Sequence, residues 1–396
     1  MKYIILVGDG MGDYPIPELG NKTPLEIADT PYMDFVAREG EVGMVKTIPN
    51  DLEAGSDIAN LSILGYDPRL YHTGRAPLEA ASLGISLGEG DVAFRCNLVT
   101  LSRTSDNRVY LIDYSAGHIP TEEARELILD LDQKLGDENF RFYPGISYRH
   151  ILVWHKGDET VNTIPPHDWT GKEVTHYLND NGKKRPLLRL MEKAESILRQ
   201  SPLNKSNANS IWLWGQGKAP HMPRFYEKYH KTGAIISAVD LLKGIGIYAG
   251  LEVVSVPGAT GYLDTNYKGK AKYALKILKD KDLVYVHVEA PDEASHNGRL
   301  EDKIGAIENF DRLVVKTILE GLEQLKMYKI MIITDHFTPL SLKTHTQDPV
   351  PFAIYSPGVT NMETRFRGFS EKEGQRSPIF IEEGFRLMDR FIGDNH

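Results

Sequence analysis

The chain is poor in cysteine, in long apolar runs and in excess positive charge, and each shortage excludes a class of protein. Among 396 residues, Cys96 is the one cysteine, which excludes an internal disulfide framework and a thiolate zinc cluster. The sequence has no run of about 18 uncharged apolar residues, so no membrane-spanning helix is expected. A net charge of −9 disfavours a nucleic-acid partner. We expect a cytoplasmic protein without a membrane or nucleic-acid partner.

The apolar pattern is that of an α/β protein. Continuous apolar runs at 3–7, 283–288 and 329–334 each end in polar residues, as strands buried on both faces of a parallel sheet do. Apolar residues at helical spacing fill 302–326, between the last two runs. The sequence therefore predicts a doubly wound, mostly parallel sheet.

The middle of the chain has a different pattern, which predicts an inserted domain. Short strands are expected at 92–101, 108–114 and 148–155, together with a helix that has Thr121 as N-cap and ends near Leu135. After a polar linker at 201–207, apolar strands resume at 210–214 and 234–237. The predicted organisation is a core whose two parts, 1–90 and 191–396, flank a smaller α+β cap domain at 91–190.

A glycine-rich segment at 8–12 follows the first strand and superficially matches a nucleotide-binding loop. Pro15 and Pro17 exclude the helix that such a loop requires, and no P-loop motif occurs. What remains is Asp9, an acid at the carboxyl end of a strand, where open α/β sheets bind ligands. A turn aspartate that satisfies local backbone N–H groups is the alternative.

Carboxylates and histidines near the end of the chain form the strongest chemical signal. Asp292, His296, Asp335 and His336 each follow a buried strand, and His345 comes nine residues after His336. Carboxylate oxygens and neutral imidazoles suit divalent ions such as Mn, Zn or Fe. With Asp9 they supply six ligands, enough for two ions. Any one of them alone could be an ordinary polar residue, but their shared placement at strand ends favours a metal site.

Ser56 follows Gly55 and precedes a helical run, so it can lie at a helix N-terminus. It is either an ordinary N-cap or, beside a metal site, an activated nucleophile. A non-enzymatic metal protein is disfavoured, since structural zinc sites close with four ligands and keep no nucleophile.

Basic residues set among small, apolar or aromatic neighbours are candidate anion ligands. Each could instead form an internal ion pair with Asp or Glu. They are Arg75, Arg95, Arg149 with His150, and Lys218 after a glycine-rich strand end.

Motifs along the whole chain carry a family resemblance. They include VGDGMGDYP, GSDIANLSILGYDP, TGRAPLEAASLG, VEAPDEASH, TDHFTP and THTQDPVPF. The sequence resembles the cofactor-independent phosphoglycerate mutases of the archaeal type, within the alkaline phosphatase superfamily. The segments SYRHILVW, PPHD, IWLWGQGK and PGATGYLDTNY are most similar to a bacterial branch labelled as homoserine kinases. One difference is Phe337-Thr338-Pro339, since a small residue follows the histidine in the better-known mutases.

The resemblance implies roles for these residues. Asp9, Asp335, His336 and the catalytic Ser56 would hold one divalent ion, and Asp292, His296 and His345 the other. The expected ion is Mn²⁺, with Mg²⁺, Zn²⁺ or Co²⁺ as alternatives. Arg75, together with Arg95, Arg149 and His150 of the cap, would bind the substrate, with Lys218 a further candidate. The implied function is the glycolytic interconversion of 3-phosphoglycerate and 2-phosphoglycerate through a phosphoserine; a homoserine kinase or a phosphatase of the same fold is the alternative.

Overall fold

Two β-sheets of different character organise the chain. The computed structural model describes residues 1–179, 182–323, 325, 327–358 and 366–393. The strands are β1 Lys2–Gly8, β2 Glu41–Val45, β3 Val92–Arg103, β4 Val109–Asp113, β5 Phe140–Ile146, β6 Arg149–Trp154, β7 Ser210–Gly217, β8 Gly233–Ile236, β9 Glu252–Val253, β10 Leu283–Val288, β11 Tyr328–Ile333, β12 Val350–Tyr355 and β13 Phe380–Ile381.

Helices connect and cover these strands. They are α1 Pro24–Ile27, α2 Pro31–Glu39, α3 Ser56–Ile63, α4 Pro68–Tyr71, α5 Arg75–Ser82, α6 Thr121–Leu135, α7 Thr175–Leu178, α8 Arg185–Gln200, α9 Phe225–Tyr229, α10 Asp240–Tyr248, α11 Tyr267–Ile277, α12 Ala290–His296, α13 Leu300–Asn309, α14 Lys316–Leu322, α15 Glu371–Arg376 and α16 Leu387–Ile392. Within the described residues, no helix is both long and apolar enough to span a bilayer.

The chain divides into two units, the second inserted into the first. Residues 1–72 and 221–396 form the first unit, and residues 73–220 form the second. The predicted cap, 91–190, lies inside the second unit, which begins earlier and ends later. The unit is wider because α5 and β7 both pack on β3, the long strand at its centre.

The first unit contains an eight-stranded sheet in the order β13-β2-β12-β11-β1-β10-β8-β9. Five of its strand pairs are parallel, and β12 is antiparallel to both its neighbours. β1 lies between β10 and β11, and its residues from Ile4 to Val7 have no exposed surface. A continuous apolar run is what such a central, doubly covered strand requires. The prediction of an α/β fold with a mostly parallel sheet is confirmed.

The helical segment predicted at 302–326 is not one regular helix. A π-helical turn, Phe310–Val315, joins α13 to α14, and residues 324 and 326 lie outside the described residues. The buried Asp311 side chain lies in this turn and accepts hydrogen bonds from the backbone N–H of Tyr32 and Met33, at 3.1 and 2.7 Å, in the first turn of α2. The π-helical turn therefore carries an acceptor for otherwise unpaired N–H groups of a second helix.

The second unit contains an antiparallel sheet in the order β4-β3-β6-β5, with β7 also paired to β3. Sequence reasoning missed β5, in which Pro144-Gly145 interrupts the strand pattern at a register shift. It also missed the amphipathic helix α8. The N-cap assignment of Thr121 was wrong, because Pro120 occupies that position and Thr121 begins α6.

Candidate active site

Three neighbouring parallel strands deliver the acidic and imidazole side chains of the first unit to one edge of its sheet. Asp9 directly follows β1, Asp292 lies in α12 just after β10, and Asp335 and His336 follow β11. The carboxyl ends of parallel strands meet at the same edge, which is why residues so distant in sequence converge. The backbone N–H of Gly10 donates to Asp335 Oδ1 at 3.1 Å and so joins the β1 and β11 loops.

One ligand group consists of Asp292, His296 and His345. The carboxylate of Asp292 has Oδ2 at 3.2 Å from His296 Nε2 and Oδ1 at 3.3 Å from His345 Nε2. The two Nε2 atoms are 2.9 Å apart. His296 Nδ1 lies 2.9 Å from the Lys343 carbonyl, which can only accept, so a neutral His296 keeps its lone pair on Nε2. The group thus presents two imidazole nitrogens and two carboxylate oxygens around one point.

The other group surrounds His336 Nε2. This atom lies 3.2 Å from Asp9 Oδ1, 3.4 Å from Asp335 Oδ2 and 2.9 Å from Ser56 Oγ. His336, Asp9 and Asp335 are all buried. All seven residues predicted as metal ligands are therefore found in two adjoining groups, and Asp292 of the first group also lies near Asp9 and His336 of the second.

Ser56 is the first residue of α3, and its hydroxyl faces His336 rather than capping the helix. Gly55 occupies the N-cap position, so the interpretation of Ser56 as an ordinary N-cap is wrong. Asn60, one turn later, donates from Nδ2 to the Ser56 carbonyl and to Asp335 Oδ2, at 2.8 and 2.9 Å. This amide fixes the serine beside the carboxylate of the second group.

The electrostatics of the site fit divalent cations. Burial, together with the nearby charges of Asp335 and Asp292, raises the pKa of Asp9 well above its usual range. Asp9 Oδ1 is buried without a hydrogen-bond partner among the described residues. Burial also lowers the pKa of His336 to about 4, so its ring is in the neutral, metal-binding form. A divalent ion would satisfy the orphaned oxygen and offset the crowded negative charge.

Sequence reasoning missed three polar residues that orient these ligands: Asn60, His287 and Thr338. His287 lies inside the apolar run of β10, and its Nε2 is 3.2 Å from Asp9 Oδ2. Its Nδ1 is 3.1 Å from Glu289 Oε1, and Glu289 is paired with the fully buried Lys270 at 2.7 Å. Burial would raise the pKa of Glu289, but Lys270 and the His287 hydrogen bond hold it below its usual range. A histidine within an otherwise apolar strand was the available signal.

Three of the predicted anion ligands form a separate arginine group in the second unit. Arg95 is buried, donates from Nε to Glu79 Oε2 at 3.0 Å and has its guanidinium 4.2 Å from the centre of the Trp214 ring. Burial, together with the nearby charges of Arg75 and Arg149, lowers the pKa of Arg95. The internal ion pair that was the alternative for Arg95 thus exists, and Arg75 and Arg149 place further positive charge near it.

His150 and Lys218 are not placed with that group. In the antiparallel pair of β3 and β6, Arg149 is opposite Asn97 and His150 is opposite Cys96. Side chains alternate between faces, so Arg149 shares the Arg95 face while His150 points to the other one. His150 is buried there, accepts from the Gly145 N–H at 2.9 Å, and has its pKa lowered to about 3 by burial. Lys218 pairs with Glu159 at 2.9 Å. His150 is thus buried on the face opposite Arg95, and its substrate-binding role stays a prediction.

Carboxylates, imidazoles and a serine hydroxyl gathered at the carboxyl edge of an α/β sheet are the donor set of a metal-dependent enzyme. Similarity to known proteins narrows this class to one enzyme family. The profile of the 2,3-bisphosphoglycerate-independent phosphoglycerate mutase family matches residues 37–204. The enzyme of that name from Methanosarcina barkeri is 52% identical over 98% of both chains, and the second such enzyme from Methanothermobacter thermautotrophicus is 48% identical over 98% of this chain and 96% of its own.

Solved structures agree with this assignment. A protein from Pyrococcus horikoshii has a TM-score of 0.82 and 31% identity, covering 99% of this chain and 96% of its own. The cofactor-independent phosphoglycerate mutase from Thermoplasma acidophilum has a TM-score of 0.65 and 27% identity over 99% of both chains. The chain belongs to the 2,3-bisphosphoglycerate-independent phosphoglycerate mutase family, and the family prediction is confirmed.

Proposed function

We propose that this enzyme interconverts 3-phosphoglycerate and 2-phosphoglycerate without 2,3-bisphosphoglycerate, with Ser56 as the nucleophile. The observation that carries the proposal is the position of Ser56 Oγ, 2.9 Å from His336 Nε2 and beside carboxylates and imidazoles that could hold metal ions. Family membership at about half identity over nearly the full length supports a mutase rather than a homoserine kinase.

In this proposal the two ligand groups hold two divalent ions. Asp9, Asp335, His336 and Ser56 would hold one, and Asp292, His296 and His345 the other. Bound ions supply positive charge to the transferring phosphoryl oxygens and favour the serine alkoxide. Mixed oxygen and nitrogen ligands suit Mn²⁺, our first expectation, and admit Mg²⁺, Zn²⁺ or Co²⁺.

The chemistry assigned to the chain's own atoms is a double displacement. Ser56 Oγ gives up its proton and forms a bond to phosphorus as the bond from phosphorus to the glycerate oxygen breaks, and that glycerate oxygen takes up a proton. The other glycerate hydroxyl then gives up its proton and attacks phosphorus, the bond from phosphorus to Ser56 Oγ breaks, and Ser56 Oγ takes up a proton again. The backbone N–H groups in the first turn of α3 stabilise an anion at this position. Two transfers return the enzyme to its starting state and change only the position of the phosphoryl group.

Retention of glycerate between the two transfers requires a carboxylate-binding site. We assign it to Arg75, Arg95 and Arg149 of the second unit. A planar guanidinium binds a carboxylate through two parallel hydrogen bonds, and neighbouring positive charges strengthen the attraction. The stacking of Arg95 on Trp214 holds its guanidinium in one plane for that contact.

An enolase-coupled assay on Mn²⁺-loaded protein without 2,3-bisphosphoglycerate tests the function. We expect 2-phosphoglycerate to form with little inorganic phosphate. Ser56→Ala should lower turnover by at least ~10³-fold, since only binding and electrostatics would remain. Ser62→Ala, in the same helix and buried, is the matched control and should keep near-wild-type turnover.

Three results would contradict the proposal. Release of one phosphate per substrate by the wild type would make the enzyme a phosphatase. A parallel reaction with ATP and homoserine that formed phosphohomoserine, without mutase activity, would make it a kinase. Near-wild-type turnover in Ser56→Ala would remove that residue from the chemistry.

A further inference from the structure

Thr338 lies between the two ligand groups and touches one member of each. It is fully buried in the loop after β11. Its Oγ1 donates to Asp292 Oδ1 at 2.5 Å and lies 3.1 Å from His336 Nδ1. Asp292 belongs to the group with His296 and His345, whereas His336 faces Ser56. One hydroxyl therefore connects two sets of ligands that come from different strands.

The direction of each hydrogen bond in this connection is fixed by counting protons. A threonine hydroxyl has one hydrogen, and it points to the Asp292 carboxylate, which in its ionised form can only accept. His336 Nδ1 must then donate to Thr338 Oγ1, and the neutral ring keeps its lone pair on Nε2. That nitrogen is the one 2.9 Å from Ser56 Oγ. Thr338 thus selects the tautomer in which His336 can bind a metal.

The backbone around Thr338 is held on several sides. Its N–H donates to the Gly12 carbonyl at 3.1 Å, and its carbonyl accepts from the buried Lys303 Nζ at 3.0 Å. Gly10 has φ of +61°, and a Cβ there would lie 2.6 Å from both Thr338 Oγ1 and Asp292 Oδ1. The loop after β1 thus packs directly against the hydrogen bond between Thr338 and Asp292, because Gly10 has no side chain there.

We propose that Thr338 is a positioning residue that couples the loading of the two ligand groups with divalent ions. The inference rests on the metal-binding part of the proposed function. An ion bound by Asp292, His296 and His345 fixes the Asp292 carboxylate, which fixes the Thr338 hydroxyl and the His336 tautomer. The second ion then meets ligands that are already ordered, so its binding loses less entropy.

Calorimetric titration of EDTA-dialysed protein with Mn²⁺, in the absence of substrate, tests the coupling. The wild type should bind two ions, the second more tightly than an independent site would. Thr338→Val keeps the shape and the backbone contacts but removes the hydroxyl; it should weaken Mn²⁺ binding about 10- to 100-fold and make the two events independent. Thr338→Ser should restore the wild-type isotherm. Thr317→Val, where the hydroxyl bonds only a helix carbonyl, is the control and should leave it unchanged.

Three outcomes would overturn the inference. They are a wild-type isotherm in Thr338→Val, loss of coupling in Thr338→Ser, and two independent ions in the wild type. The last measurement needs no variant and stands even if Thr338→Val does not fold. A wild type that binds no Mn²⁺ refutes the metal part of the proposed function as well, whereas two uncoupled ions refute the coupling alone.

Discussion

At the scale of single residues, hydrogen-bond acceptors decide which nitrogen of two site histidines is available. The Lys343 carbonyl and the Thr338 hydroxyl each accept a hydrogen bond from the Nδ1–H of one ring, and both leave Nε2 facing the ligand group. Neither partner is itself a proposed metal ligand. Substitution of Thr338 should therefore change metal affinity without changing the number of ligands.

A residue-scale prediction concerns Arg95. Arg95→Ala should lower kcat/KM about 30- to 160-fold, because it removes a charged, stacked contact worth about 2–3 kcal/mol. It should also raise the ratio of inorganic phosphate to isomer, because glycerate that is held less tightly leaves before the second transfer. The measurement is that ratio, by phosphate release and the enolase-coupled assay, in the wild type and the variant.

The control for Arg95 is Arg141→Ala. Arg141 also lies in the second unit and forms an exposed ion pair with Asp132, so its loss should leave the product ratio unchanged. If Arg95→Ala kept wild-type kinetics and product ratio, Arg95 would be only the ion-pair partner of Glu79.

At the scale of elements, the π-helical turn between α13 and α14 gives the stability of the first unit a pH dependence. Burial raises the pKa of Asp311 in this turn to about 7, and the backbone N–H groups of α2 only partly offset that effect. In the unfolded chain an aspartate has a pKa of about 3.9. The stabilisation by the protonated form is thus complete below about pH 4 and is lost as the pH rises through about 7.

Asp311→Asn tests this sign. The amide oxygen can accept the same backbone hydrogen bonds and carries no charge, so the variant should have the free energy of unfolding of the wild type at about pH 4. At about pH 8 the variant should be more stable than the wild type by about 1–3 kcal/mol. Urea unfolding at the two pH values measures the difference. Asp280→Asn, at an exposed position after α11 in the same unit, should show the same stability difference from the wild type at both pH values.

The elements also show what sequence reasoning can and cannot supply. Asp9, Asp335 and His336 were predictable because a polar residue directly after a buried strand is a local pattern. Thr338 acts on Asp292, a partner that only the fold brings near, and the signal for His287 is its place in an otherwise apolar strand. The roles of Arg149 and His150 were predicted together because they are neighbours, although successive residues of a strand face opposite ways. The wider second unit was missed because α5 joins its sheet by packing rather than by sequence adjacency.

At the scale of the whole molecule, all the proposed metal ligands belong to the first unit. Addition of Mn²⁺ to EDTA-dialysed protein should therefore slow amide hydrogen exchange at 8–12, 55–60, 289–296 and 334–346. At 100 times Kd, ligand binding stabilises the folded state by about 2.7 kcal/mol. Exchange in α6 and β3 of the second unit should not change. Equal protection in both units would contradict an assignment of the ions to the first unit alone.

The central place of β1 in the eight-stranded sheet has a consequence for how the chain is made. Tyr3 pairs with Leu283 on one side and Lys329 on the other, so both neighbours of this strand leave the ribosome after most of the protein has been synthesised. The intervening second unit has its own sheet and core, and can fold as soon as residues 73–220 have emerged. Until β10 and β11 have emerged, an apolar strand waits unpaired, which makes the nascent chain a substrate for chaperones and a starting point for aggregation.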